Sequence, residues 1–188
     1  MAAGETITSG NFTFTKTEVE GVIMVEAKTY GDDRGSFMEV YKRSDFVAGG
    51  ITAEFVQDNQ SSSVRGVLRG LHYQINHPQA KLVRVISGEV FDVAVDLRPG
   101  SATYGKWVGS VLSAENKRQM FIPRGFAHGF LVLSETAEFC YKCDDVYHPD
   151  DEGGYPFDDP AFCIEWPDCG CELILSEKDQ HHPAFKPL

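Results

Sequence analysis

The chain has 188 residues, 42% of them hydrophobic and 24% charged, which suits one folded domain and excludes a disordered or fibrous chain. Its formal net charge of −11 argues against a nucleic-acid backbone or an anionic membrane as partner, since either would be repelled over the whole surface. Met1 to Asn11 carries neither a basic nor an apolar run and the five cysteines are an odd number, so the expected location is the cytoplasm, with reduced thiols and no membrane span.

Runs rich in Val, Ile, Phe and Tyr follow one another along the chain and predict strands over 21–29, 36–42, 54–59, 66–74, 81–87, 89–97, 106–112, 119–123, 127–134 and 138–144. Within the sixth run Phe91, Val93, Val95 and Leu97 alternate with Asp92 and Asp96, the pattern of a half-buried strand with the aspartates on the wet face. The Ser87-Gly88 step before it predicts a hairpin turn. Helical periodicity is confined to short stretches at 44–48 and 176–180, and the tail from Gln180 to Leu188 reads as irregular. Without βαβ alternation a parallel sheet is not expected, and the fold class is all-β: a jelly-roll barrel with few short helices, forming a single domain over 1–188.

Three groups of residues could carry chemistry. Ile122-Pro-Arg-Gly-Phe-Ala-His128-Gly has the Pro-x-Gly-x-x-His spacing of the second signature of cupin barrels, in which the His points inward. A metal there would need a His-x-His pair elsewhere, and His72 and His77 lack that spacing, so no metal is expected. Cys140-x-x-Cys143 and Cys169-x-Cys171 offer four thiolates, but positions 140 and 143 point to opposite faces of a regular strand, and the cysteines are read as small buried hydrophobes. The third group is a set of strands unusually dense in polar residues: Gln57 to Ser61, Gly66 to Gln74 and Gln79 to Val85. Buried polar side chains are costly unless paired or used. His72 is the natural base among them, because imidazole titrates near neutral pH, and the Lys81 ammonium, in a mostly apolar strand, would be expensive unless it faces an anion.

These blocks, together with Asp33-Arg34-Gly35-Ser-Phe37-Met-Glu39, Pro123 to Phe130, Tyr141-Lys-Cys and Leu175-Ser-Glu-Lys178-Asp179, resemble the dTDP-4-dehydrorhamnose 3,5-epimerase family in the same order from about Val22 to Asp179. The resemblance implies a cupin-type barrel that epimerises dTDP-4-dehydro-6-deoxy-D-glucose at carbons 3 and 5, without a cofactor, on the way to dTDP-L-rhamnose. It further implies His72 as base, Asp179 as its carboxylate partner, Lys81 at the enolate and Tyr141 as the acid returning a proton from the other face. Arg34, Arg69 and Lys178 would hold the diphosphate, while Gln57, Asn59, Phe37, Glu39, His128 and Glu152 would contact the nucleotide or sugar. In such a family the segment from Arg34 to Glu39 crosses to the neighbouring subunit, so a homodimer with exchanged N-terminal strands is expected. Close alternatives are a relative inverting one carbon of a related dTDP-4-keto-6-deoxy sugar, a noncatalytic sugar-nucleotide-binding cupin, and a metal-dependent cupin oxygenase. Strict alternation puts Arg69 and His72 on opposite faces of one strand, and a bulge at Gly70 is expected to bring both to one site.

Overall fold

A computed structural model describes residues 3–186. The chain opens with a hairpin, β1 (Thr6–Ser9) and β2 (Phe12–Lys16), followed by β3 (Ile23–Ala27), a separate hairpin of β4 (Thr29–Asp32) and β5 (Gly35–Met38), and the short helix α1 (Arg43–Ala48). The barrel strands are β6 (Gln57–Val64), β7 (Leu68–Gln74), β8 (Lys81–Ser87), β9 (Glu89–Asp96), β10 (Trp107–Ser113), β11 (Gln119–Ile122), β12 (Phe126–Val132) and β13 (Thr136–Cys143), and a short 3-10 turn (Pro149–Asp151) leads into β14 (Glu152–Gly154). They form a larger sheet in the order β1-β2-β3-β11-β8-β13-β6 and a smaller one in the order β10-β9-β12-β7-β14. All strand pairs within them are antiparallel, as the all-β reading requires.

Inward residues of both sheets make the central core. Val83, Val85, Met120, Ile122 and Phe139 from the larger sheet meet Val90, Ala94, Leu112, Phe130 and Val132 from the smaller. Phe130 stacks on Phe139 with ring centroids 4.2 Å apart. Fully burying a side chain of this size stabilises the fold by about 1.5–3 kcal/mol. A second cluster fastens α1 to the larger sheet, with Phe46 of the helix packed among Phe12, Phe14, Val25 and Leu82 of the sheet. The outer side of the smaller sheet is covered by the C-terminal segment, where Tyr155, Phe162, Trp166 and Phe185 pack on Leu71, Phe91, Val93 and Val95.

Two expectations are corrected. Asp92 and Asp96 are fully buried, because the C-terminal segment covers the Phe91 face and leaves the aspartate face pointing into the barrel. Ser87-Gly88 makes no hairpin: β8 belongs to the larger sheet and β9 to the smaller, so the chain changes sheets there. Gly88 has φ +75° and a Cβ would meet the Thr136 carbonyl oxygen at 2.0 Å, which explains a glycine at this corner. The strands β1, β2, β4 and β14 lie outside or only touch the predicted runs, and 176–180 forms a single turn rather than a helix.

Candidate active site

The polar strands converge on a cavity between the sheets. One chamber of about 440 Å³ is lined by Arg69, His72, Lys81, His128, Tyr141 and Asp179, among others. A neighbouring one of about 220 Å³ is lined by Gln57, Asn59, His72, Lys81, Tyr141 and Glu152, among others. His72, Lys81 and Tyr141 belong to both, so they stand where the two chambers meet. His72 comes from the smaller sheet, and Lys81 and Tyr141 come from the larger. The imidazole and the phenol therefore approach the cavity from opposite walls. Lys81 pairs in register with Cys143, two residues beyond Tyr141, so amine and phenol are diagonal neighbours on one face. The Lys81 Nζ lies 5.9 Å from the Tyr141 ring centroid.

The presence of both Arg69 and His72 depends on the bulge. In the pairing of β7 with β12, His72 faces His128 and Arg69 faces Phe130, so two residues, Gly70 and Leu71, stand opposite Gly129 alone. Gly70 adopts φ +126°, and a Cβ there would lie 2.6 Å from Gly129 Cα and 2.7 Å from the His128 carbonyl oxygen. Only glycine fits this close approach of two backbones.

The ionisable groups are set by a partner or by burial. His72 Nε2 lies 2.5 Å from Asp179 Oδ1, which fixes the ring and leaves Nδ1 to face the cavity, 3.9 Å from Glu152 Oε1. Asp179 is positioned by a turn starting at Ser176, whose Oγ accepts from the Asp179 backbone N–H and donates to Oδ2. Burial alone would raise the Asp179 carboxyl, but the hydrogen bond and charge of His72, with Ser176 and His182, outweigh it and bring it to about 2. Lys81 is pushed down by burial, with electrostatic interactions with Cys143, Asp92 and Glu152 acting the other way. Tyr141 is raised, first by burial, and so stays a phenol at neutral pH.

His128 points inward as the motif implies, and its partner is the buried Asp92: Nε2 lies 2.9 Å from Asp92 Oδ2. Burial lowers His128 and raises Asp92, each offset in part by the other. Arg69 donates to Ser63 Oγ at 3.2 Å, and Gln57 donates to Asn59 Oδ1 at 3.1 Å. Glu152 accepts from Tyr147 at 2.6 Å and pairs with Lys178 at 2.5 Å. Burial would raise Glu152, yet Lys178, Tyr147 and His72 together lower it.

Four of the expected residues line neither chamber: Lys178 reaches the edge only through Glu152, and three stand farther off. Arg34 is paired with Asp32 on the exposed β4–β5 hairpin, Phe37 is 72% exposed, and Glu39 accepts from Asn11. None of the three lines either chamber of its own chain. The cysteines form no cluster of three or more ligands among the described residues. Asp92, Tyr147 and His182 are the site residues that sequence reasoning missed. For Asp92 there was a signal: Val90 and Ala94 flank it at even spacing, so both faces of β9 are apolar and an aspartate between them is buried.

Comparison with known proteins gives the family. The profile of the dTDP-4-dehydrorhamnose 3,5-epimerase family matches residues 16–187. The chain belongs to this family. It is 57% identical over 172 residues to the dTDP-4-dehydrorhamnose 3,5-epimerase of Pseudomonas aeruginosa, covering 91% of this chain and 94% of that one. The enzyme of the same name from Methanothermobacter thermautotrophicus is 54% identical over 178 residues, 94% of this chain and 95% of its own. The crystal structure of the dTDP-6-deoxy-D-glucose-3,5-epimerase of Legionella pneumophila in complex with dTDP-4-keto-L-rhamnose superposes with a TM-score of 0.87 at 52% identity, covering 90% of each chain.

Proposed function

We infer that this chain is an isomerase that converts dTDP-4-dehydro-6-deoxy-D-glucose to dTDP-4-dehydro-L-rhamnose by inverting carbons 3 and 5, in dTDP-L-rhamnose biosynthesis. The observation that carries the reading is the placement of a carboxylate-paired imidazole on one wall of the cavity and an amine and a phenol on the other. The substrate's C4 keto group acidifies the hydrogens on C3 and C5. His72 Nδ1 takes a proton from one of these carbons, and the electron pair moves onto the keto oxygen as an enolate. The Lys81 ammonium faces that oxygen in a water-poor setting, where its charge acts at low dielectric. The Tyr141 hydroxyl, kept protonated by burial, returns a proton to the opposite face of the carbon. His72 and Tyr141 then exchange their protons with solvent, and the cycle repeats at the second carbon. Asp179 holds the ring orientation and stabilises the imidazolium.

Arg69 and Lys178 supply cationic donors for the diphosphate, while Gln57, Asn59, His128 and Glu152 contact the sugar or nucleotide. The keto group supplies the acidity, so no cofactor is required. The protein works as a cytoplasmic homodimer in which the β4–β5 hairpin of one subunit brings Arg34, Phe37 and Glu39 to the cavity of the other. Exposure of Phe37 and Tyr30 on that hairpin supports the reading, since large apolar groups at a tip ordinarily find a covering partner.

The test is incubation of the protein with dTDP-4-dehydro-6-deoxy-D-glucose in deuterated water, followed by NMR. Deuterium at both C3 and C5 with the L-configured product is the expected outcome. Deuterium at one carbon would identify a single-centre epimerase, and none would refute catalysis on this substrate.

A further inference from the structure

Behind the base stands a second histidine that the reaction does not need. His182 Nε2 lies 3.4 Å from Asp179 Oδ1, the same oxygen that His72 Nε2 approaches from the other side at 2.5 Å. The two rings sit edge to face with centroids 5.6 Å apart, and all three ligating atoms lie within 4.8 Å of one another. The His182 side chain is only 7% exposed, and beyond this long contact with Asp179 its buried Nε2 finds no hydrogen-bond partner among the described residues. The ring is pressed against the β14 backbone, where a Cβ on Gly154 would meet it at 2.3–2.6 Å.

We propose that His72, Asp179 and His182 form a binding site for a divalent transition-metal ion such as zinc, and that occupation of the site switches the enzyme off. Two imidazole nitrogens and one carboxylate oxygen are a donor set that zinc accepts, with a fourth position left for water. Metal–ligand bonds of about 2.0–2.2 Å in a tetrahedron need ligand atoms about 3.3 Å apart. The His182–Asp179 separation already meets this, and the His72–Asp179 pair would have to open by less than about 1 Å. An entry path exists because His72, Ser176 and Asp179 line the larger chamber. The bound ion would take the place of the proton between His72 and Asp179 and hold the ring by Nε2, removing the carboxylate support of the base. The binding itself is independent of the proposed reaction, whereas the inhibition rests on His72 acting as base.

The metal alone is the probe. Chelator-treated protein is titrated with zinc by calorimetry and with cobalt by visible absorption, alongside His182→Gln and the double variant Cys169→Ser/Cys171→Ser. The expected result is one ion per chain, affinity at least 10-fold weaker in His182→Gln, unchanged affinity in the cysteine variant, and epimerase activity that zinc inhibits in the parent but far less in His182→Gln. Inhibition is read for each protein as a fraction of its own metal-free activity. No binding by the parent, equal binding by His182→Gln, or binding lost in the cysteine variant would each overturn the site. Binding that meets every expectation yet leaves turnover intact would overturn the switch and count against His72 as the base.

Discussion

The cavity and the β4–β5 hairpin use similar residue types and treat them in opposite ways. In the cavity His72, Lys81, Tyr141 and His128 come from four strands of two sheets, and each is fixed by burial or by a named partner: Asp179 for His72 and Asp92 for His128. On the hairpin Arg34 and Phe37 are exposed, with Arg34 answered by its near neighbour Asp32. The first region is pre-organised by its own chain, whereas the second finds its use, on the function proposed above, only in a partner subunit. Changes in the cavity should therefore act on turnover, and changes on the hairpin on binding.

The sharpest break is expected at the base. His72→Asn should lower kcat by about 10³-fold, the range of a lost general base, with the fold intact by circular dichroism. Lys81→Met should cost about 10²-fold in kcat through loss of the charge facing the enolate. Steady-state kinetics of the two variants checks both. If either retains parental turnover, the role given to that residue is wrong.

Gly70→Ala tests how the cavity is built rather than what it does. The neighbours of the added Cβ are backbone atoms of His128 and Gly129, which cannot move aside as a flexible side chain could. A loss of about 2 kcal/mol in urea unfolding is expected from the strain, with kcat reduced because Arg69 and His72 both ride on this bulge. Unchanged stability would show that the bulge tolerates a side chain.

The smallest effect is expected on the hairpin. Arg34→Ala should raise KM by about 10-fold, one charge-assisted hydrogen bond to the diphosphate, and leave kcat and thermal stability near parental values. A fall in kcat with unchanged KM would place Arg34 in the chemistry instead.

How much of this was readable in the sequence follows from how local each signal is. β8 was predicted at its observed bounds, because Lys81 to Ser87 is a β-branched run between turn residues. The bulge at Gly70 was also readable, since two functional residues three apart on a strand demand an odd step. The β1–β2 hairpin was missed although Thr6 to Lys16 alternates Phe12 and Phe14 with threonines around Gly10-Asn11; its apolar content is low, and packing on Phe46 supplies what propensity lacks. β14, Glu-Gly-Gly, has no strand propensity and exists because it pairs with β7. The misassigned Asp92 had a local signal, Val90 and Ala94 on its own face of β9. The missed His182 had none, since its burial depends on β14, distant in sequence.

The two-wall arrangement of base and acid is tested most directly by comparing hydrogen exchange with epimerisation in Tyr141→Phe. Incubated with substrate in deuterated water, this variant should still lose carbon-bound hydrogen to solvent through His72 while its yield of inverted product falls by at least about 10-fold, consistent with loss of one general acid. Loss of exchange and inversion together, with His72 intact and the fold preserved, would contradict the assignment of proton removal and proton return to opposite walls.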